Sequence, residues 1–106
     1  MKTNDFMNAN LEAIKDIIKK MPNDTFDSHE FIKVFVKKFE PQYVTLLALY
    51  KKNPYRIVNS QIALNLAKNL AYLEIEKNGK ILSDTIFGLN NPNELWKKND
   101  RSKNGL

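Results

Sequence analysis

The chain has 106 residues, a formal net charge of +5 at pH 7 and no cysteine. This length allows one domain with a modest hydrophobic core, and the lack of cysteine excludes disulfide bonds and thiolate metal sites. No stretch approaches the roughly 20 apolar residues of a membrane span, and the N-terminus lacks the pattern of a signal peptide. We therefore expect a cytoplasmic protein without a membrane partner.

The positive charge is concentrated in one part of the chain. Between Pro41 and Leu73 there are four lysine or arginine residues and no acidic residue, whereas the rest of the chain carries 13 basic and 12 acidic residues. A basic segment of this kind favours a surface that binds a polyanion. Codon bias in an AT-rich genome is an alternative source of the charge, because the chain has 15 lysines and only two arginines.

The first predicted helix covers Thr3 to Met21, and Pro22 ends it. Its apolar residues recur at steps of three and four, which places them in one stripe along the helix. The stripe consists of Met7, Leu11, Ile14 and Ile18. Such a stripe either packs on its own domain or forms a homodimer interface with a second copy.

The second predicted helix, Ser28 to Phe39, begins with a capping box, in which Asp27 caps the helix and Glu30 completes the motif. Asp24 and His29 lie beside these two residues, but the spacing fits no established ligand set. We predict no metal site and no cofactor.

A third helix is predicted from Pro41 to Lys52, since proline is favoured at the first position of a helix. The segment from Asn53 to Val58 then reads as the turn between two helices. Tyr55 and Arg56 fall in this turn, where they would be placed to contact backbone phosphates.

The fourth predicted helix, 59–72, has Asn59 as its N-cap and buries a face formed by Ile62, Leu66 and Leu70. The opposite face is rich in amides and has no acidic residue. Its candidate DNA-binding residues are Ser60, Gln61, Asn65 and Lys68. Asn and Gln can bond to adenine, and Lys can reach guanine or phosphate. An ordinary solvated face is the alternative interpretation.

A β-hairpin is predicted directly after this helix, with its turn at Asn78-Gly79, because both residues tolerate positive φ. Lys77 and Lys80 would flank the turn and place positive charge at the tip. The second strand would run from Lys80 to Phe87.

The C-terminal part is predicted to contain a short helix from Pro92 to Lys98, which would return Trp96 to the core. Residues 99–106 are polar and are predicted to form a disordered tail. Residues 1–98 would then form a single domain, with the helix 3–21 as an addition.

The order of these elements predicts an α+β domain that is mainly helical. A helix that leads into a two-stranded ribbon resembles a winged helix-turn-helix domain, and the resemblance covers residues 28–88. It implies a three-helix core with a C-terminal hairpin, to which the N-terminal helix and the short C-terminal helix are added. It further implies that the helix 59–72 enters the major groove while the hairpin tip contacts phosphates. Winged-helix dimers often use terminal helices.

We therefore predict a small protein that binds double-stranded DNA, either a transcriptional regulator or an accessory of a mobile element. The alternative is an interaction module that binds another protein, through the apolar stripe of the first helix or through Tyr43, Tyr50 and Tyr55, because fold does not settle function. An enzyme is not expected. One histidine, three glycines and no cysteine leave no catalytic residues to propose.

Overall fold

The computed structural model describes residues 2–99. Within this range the chain forms six helices and three strands, and the predicted α+β, mainly helical class is confirmed. The helices are α1 (Thr3–Ala9), α2 (Leu11–Lys20), α3 (Ser28–Lys38), α4 (Glu40–Leu47), α5 (Pro54–Lys68) and α6 (Leu70–Leu73). The strands are β1 (Thr25–Asp27), β2 (Ile75–Asp84) and β3 (Asn90–Lys98). Apart from Asn99, the predicted tail lies outside the described residues, and within them no helix has both the length and the apolar character that a bilayer span requires.

The predicted first helix is in fact two helices, α1 and α2, which meet at Asn10. This residue leaves the helical region at φ −126° and ψ 26°. Its side-chain Nδ2 donates to the carbonyl oxygen of Phe6 at 2.8 Å. The side chain thus replaces the backbone N–H that would donate to this carbonyl in a continuous helix. The break turns α1 against α5, so both halves of the predicted apolar stripe reach the same core.

The stripe packs on its own domain. Met7, Ile14 and Ile18 are at most 1 % exposed, and Leu11 is half-buried. Of the two alternatives for this stripe, a homodimer interface is therefore wrong, because three of its four side chains have no surface to offer. They join a single core with aromatic residues from α3, where Phe31 and Phe35 pack with ring centroids 6.0 Å apart.

The sheet has the strand order β1–β3–β2 and is antiparallel throughout. Trp96 on β3 lies opposite Phe26 on β1, and its indole Nε1 donates to Ser28 Oγ at 2.9 Å. The predicted capping box at the start of α3 is confirmed: Asp27 Oδ1 accepts from the backbone N–H of Glu30 at 2.8 Å, and Glu30 Oε1 accepts from that of Asp27.

The hairpin turn is not at Asn78-Gly79, and that prediction is wrong. The turn lies at Thr85 to Leu89, where the Thr85 hydroxyl accepts from the backbone N–H groups of Phe87 and Leu89 and Gly88 adopts φ 81°. Asn78 and Gly79 instead lie in an irregularity of β2, where the register with β3 shifts. Gly79 keeps its positive φ of 90°, which a bulge uses as readily as a turn. With its turn at Thr85 to Leu89, the hairpin is longer than predicted, and β2 pairs with β3 from Asn90 to Lys98.

The predicted short helix over residues 92–98 is also wrong, because this segment is part of β3. The motif Asn91-Pro92-Asn93-Glu94 is a good local start for a helix, but a helix here would remove the pairing of Trp96 with Phe26. Burial of the indole and of the phenyl ring is worth more than a helix cap.

The predicted helix 59–72 differs at both ends from the observed helix α5, which covers Pro54–Lys68. α5 begins at Pro54, so Asn59 lies within it rather than at its N-cap, and the predicted turn 53–58 is mostly helical. Asn53 precedes the helix in the left-handed region at φ 48°, which asparagine tolerates. At the other end Asn69 breaks the helix as Asn10 does, since its Nδ2 donates to the carbonyl oxygen of Asn65 at 2.9 Å.

Asn65 is the polar link between α1 and α5. It is 1 % exposed, and its Nδ2 donates to Asn4 Oδ1 and to Asn8 Oδ1, both at 3.1 Å. Its Oδ1 accepts from Asn69 Nδ2 at 3.1 Å. This amide therefore uses both its donors and its acceptor inside the protein, which a buried polar group requires.

Replacing Asn65 by alanine should lower the free energy of unfolding by about 1–3 kcal/mol, because the amide oxygens of the α1 residues and the Asn69 amide lose their buried partner. Urea unfolding followed by circular dichroism measures this. The control is Leu64→Ala on the same helix, whose side chain is 59 % exposed and whose loss should cost much less. Equal costs for the two variants would contradict a role for the amide cluster.

Candidate nucleic-acid interface

The exposed side of α5 is a stripe of four residues at steps of four. It consists of Arg56, Ser60, Leu64 and Lys68, all exposed. The opposite side of the helix is held in the core by Val58, Ile62 and Leu66, each 0 % exposed. Because the apolar residues also recur at steps of four, the helix can present only the remaining face to a partner. We call these four residues the α5 stripe.

The segment of the chain that carries the α5 stripe, from Pro41 to Leu73, contains no acidic residue. Lys51 and Lys52, in the loop before α5, are exposed and add two positive charges near its N-terminal end. The nearest acidic residues in sequence are Glu40 before this segment and Glu74 after it. Glu74 is partly neutralised, since its Oε1 lies 3.3 Å from Lys15 Nζ. The first turn of α5 carries no acidic side chain either, so its positive dipole end is left uncompensated.

A cleft of about 400 Å³ runs beside the α5 stripe, between α3, α5 and β3. Arg56, Asn59 and Ser60 line it from α5, and His29 lines it from the start of α3. The β3 side supplies Asn91, Pro92, Asn93 and Glu94. The cleft therefore carries one cation on the helix side and one carboxylate on the strand side, between walls that are both polar and apolar.

Three contacts fix the far end of the hairpin against the helices and so form the end of this cleft. The rings of Tyr55 and Phe87 have centroids 4.8 Å apart. His29 Nδ1 lies 2.9 Å from Ser83 Oγ, and the backbone N–H of His29 donates to Asn93 Oδ1 at 2.9 Å. Three members of the acid-and-histidine group noted in the sequence, Asp27, His29 and Glu30, thus have structural roles. Among residues 2–99 no cluster of three or more His, Asp or Glu side chains could hold a metal ion.

The predicted DNA-binding residues divide into two groups. Arg56, Ser60 and Lys68 are exposed on α5, and Lys77 and Lys80 are exposed on β2. The remaining three have partners within the protein and are described next.

Asn65 is buried in the amide cluster described above, so the prediction that it faces base edges is wrong. Gln61 is half-buried and its Nε2 donates to Tyr50 Oη at 3.2 Å. Tyr55 is half-buried because it packs against Phe87. The two amides that suggested base contacts, Gln61 and Asn65, therefore both have hydrogen-bond partners within the protein.

The position of the two β2 lysines also differs from the prediction. Lys77 and Lys80 flank the irregularity in β2 and lie on the edge of the sheet, not at the hairpin tip. The actual tip carries no basic residue, and its Phe87 is 53 % exposed. The prediction of a basic tip is therefore wrong, because it assumed that the hairpin turn lies at Asn78-Gly79.

The sequence analysis gave Leu64 no role, and it did not predict the cleft. Leu64 is 59 % exposed in the middle of the α5 stripe. The step of four that joins Arg56, Ser60, Leu64 and Lys68 was visible in the sequence, but it required the helix to begin at Pro54. Comparison of the chain with protein-family models, with curated proteins and with solved structures finds no match.

One partly buried hydrogen bond positions the cleft side of α5. The Tyr43 hydroxyl donates to Asn59 Oδ1 at 2.7 Å and so joins α4 to α5. Burial raises the pKa of the Tyr43 phenol above its ordinary value of 10.0, because the phenolate would lose hydration. The neutral phenol is the form that can donate this hydrogen bond.

The raised pKa of Tyr43 predicts a loss of stability at alkaline pH. Above pH 10 the unfolded chain gives up the phenol proton while the folded chain retains it, so rising pH favours the unfolded state. The stabilisation is complete below about pH 10 and is lost as the pH rises through the folded pKa. Urea unfolding at pH 8 to 11 should show a smaller decline for Tyr43→Phe, in which this titration is absent. A decline as steep as that of the wild type would contradict this origin.

Proposed function

We propose that the chain is a winged-helix-like domain that binds double-stranded DNA, with α5 in the major groove. The observation that carries the proposal is the α5 stripe, in which Arg56 and Lys68 place a cation at each end of one exposed helix face. A helix of this diameter fits the major groove. The fold-level support is the order of α5, α6 and the β2–β3 hairpin, in which a helix leads through one short turn into a two-stranded ribbon.

Each residue of the α5 stripe has a chemical role in this proposal. Arg56 and Lys68 contact phosphates or guanine, and the Ser60 hydroxyl is a donor or acceptor for either. The exposed Leu64 contacts the methyl group of thymine, which is the apolar feature of the groove. Lys51 and Lys52 add phosphate contacts from the loop before α5. Lys77 and Lys80 remain phosphate contacts that the hairpin edge would offer beside the helix.

The test is fluorescence anisotropy of a labelled duplex of about 25 base pairs, titrated at two salt concentrations. We expect micromolar binding that weakens steeply as salt is raised, because phosphate contacts release counterions. The double variant Arg56→Ala/Lys68→Ala should bind at least about tenfold more weakly at low salt, and its log–log salt slope should be shallower by about 1 to 2.

The matched control is Lys19→Ala/Lys37→Ala, which removes the same charge from exposed positions of α2 and α3. We expect it to keep most of the affinity and of the salt slope. An equal loss in both double variants would mean that only the net charge attracts DNA. No binding of the wild type at low salt would remove the proposal.

A protein-interaction module is the second candidate, and the hairpin tip favours it. Phe87 and Leu89 are 53 % and 49 % exposed and lie two residues apart at the tip. Neighbouring exposed apolar residues mark protein contacts, whereas singly scattered ones are normal on any surface. The anisotropy titration separates the two candidates: a folded protein that ignores DNA at low salt favours this one.

A further inference from the structure

We propose that the chain forms a two-fold symmetric dimer in which residues 80–84 of β2 pair antiparallel with the same residues of a second copy. The two sheets would then join edge to edge into one. This inference does not depend on DNA binding, because it concerns the open edge of the hairpin and is tested without DNA. Of the proposed DNA contacts it uses only Lys80.

The edge of β2 is open for such pairing. Within residues 2–99, β2 pairs with β3 on one side only, and β3 lies between β1 and β2. Of the five residues of the segment, four are exposed and Ser83 is half-buried. An open edge presents unpaired backbone N–H and C=O groups, which are a template for a further strand.

The register of the hairpin identifies which groups point outward. Leu82 lies opposite Pro92, which has no N–H, so these two residues cannot exchange the two hydrogen bonds of a narrow pair. The neighbouring contact agrees with this, since the Thr85 N–H donates to the Leu89 carbonyl oxygen at 2.8 Å across the turn. The backbone groups of odd residues therefore face β3. Those of Lys80, Leu82 and Asp84 face the open edge.

The segment is complementary to itself in antiparallel orientation. With Leu82 on the two-fold axis, Lys80 lies opposite Asp84 of the partner subunit, and Asp84 lies opposite the partner's Lys80. All three pairs are of the hydrogen-bonded type, so together they form about six backbone hydrogen bonds. Opposite charges directly across two strands stabilise the pairing, and here the symmetry makes the favourable pair occur twice.

The side chains also lack better partners within the protein. Neither Lys80 nor Asp84 forms an ion pair in the part of the chain that the structure describes. Asp84 accepts one hydrogen bond, from Asn90 Nδ2 at 3.0 Å, which leaves its second oxygen free for a cation. Leu82 is 65 % exposed, more than any other large hydrophobic residue described, and the dimer would place it beside its symmetry mate.

The same features argue for a second copy rather than for a strand of another protein. A lysine on an edge strand ordinarily discourages pairing, and so does a bulge. Here the irregularity at Lys77 to Lys80 ends the pairing at the base and the Thr85 turn ends it at the tip, so only a five-residue strand fits. Within those five residues, the order is a cation, a central leucine and an anion. An antiparallel second copy runs in the opposite direction, so it places its anion opposite the cation and its leucine opposite the leucine.

The test is sedimentation velocity of the full chain without DNA, at concentrations up to about 1 mM, because so short an interface is expected to bind weakly. The wild type should show a reversible monomer–dimer equilibrium. Lys80→Glu and Asp84→Lys should each raise the dimer dissociation constant about tenfold, since each places like charges opposite one another twice. An equimolar mixture of the two variants should recover the wild-type constant, because the introduced glutamate then faces the introduced lysine.

The control is Lys77→Glu, which makes the same change of charge on the same strand just outside the segment, and it should leave the constant within about twofold. A wild type that stays monomeric at every concentration overturns the proposal. If Lys80→Glu and Asp84→Lys each weaken the dimer but do not associate with one another when mixed, the proposed register with Leu82 on the two-fold axis is wrong. An equal weakening by Lys77→Glu would show that net charge alone governs association, and that result also overturns the proposal.

Discussion

The structure depends on the burial of Trp96 between the first strand and the start of α3. Its ring lies opposite Phe26, both are 1 % exposed, and its indole N–H donates to Ser28 Oγ. Ser28 is the first residue of α3, and Asp27 before it caps that helix. A single side chain therefore holds β3 against both β1 and the first residue of α3. Trp96 is also the largest fully buried side chain among the described residues.

Fixing the base of the hairpin also determines where its far end lies. From Trp96 the two strands run past the N-terminal turn of α3, where His29 contacts Ser83 and Asn93, and end at Tyr55 on α5. The cleft beside the α5 stripe exists because the hairpin is held at both ends. One edge of the hairpin remains free along Lys80 to Asp84. The candidate DNA surface and the candidate dimer edge are thus two consequences of one anchored hairpin.

The parts of the fold that sequence predicted well are those decided by neighbours along the chain. The capping box of Asp27 and Glu30 needs only four consecutive residues, and it begins α3 where expected. The two signals that failed, Asn78-Gly79 and Asn91-Pro92-Asn93-Glu94, are equally local. The tertiary structure opposes both signals. Trp96 can lie opposite Phe26 only if residues 90–98 form a strand, and β2 must then extend to Asp84 to pair with that strand. Gly79 could satisfy its conformation in a bulge, so nothing local opposed the longer hairpin.

Asparagine explains why the site was predicted only in part. An Asn on a polar helix face has the same donors and acceptor whether it reads adenine, breaks a helix or joins two helices. Asn10 and Asn69 adopt nearly the same backbone angles and the same bond to the carbonyl four residues earlier, which identifies them as helix breaks. Asn65 joins α1 to α5. No pattern in the sequence separates these roles, because they differ only in which helix packs alongside.

The inward orientation of these amides has a consequence for the proposed DNA binding. Asn59 accepts from Tyr43, Gln61 donates to Tyr50, and Asn65 is fully engaged in its cluster. The bidentate pairing of an amide with adenine, which gives strong discrimination between bases, is therefore not offered by α5. What the α5 stripe retains is a cation at each end, one hydroxyl and one apolar contact. Because phosphate contacts are independent of sequence, we infer that any discrimination rests on Arg56 with guanine and on Leu64 with thymine, so it is modest for a single domain.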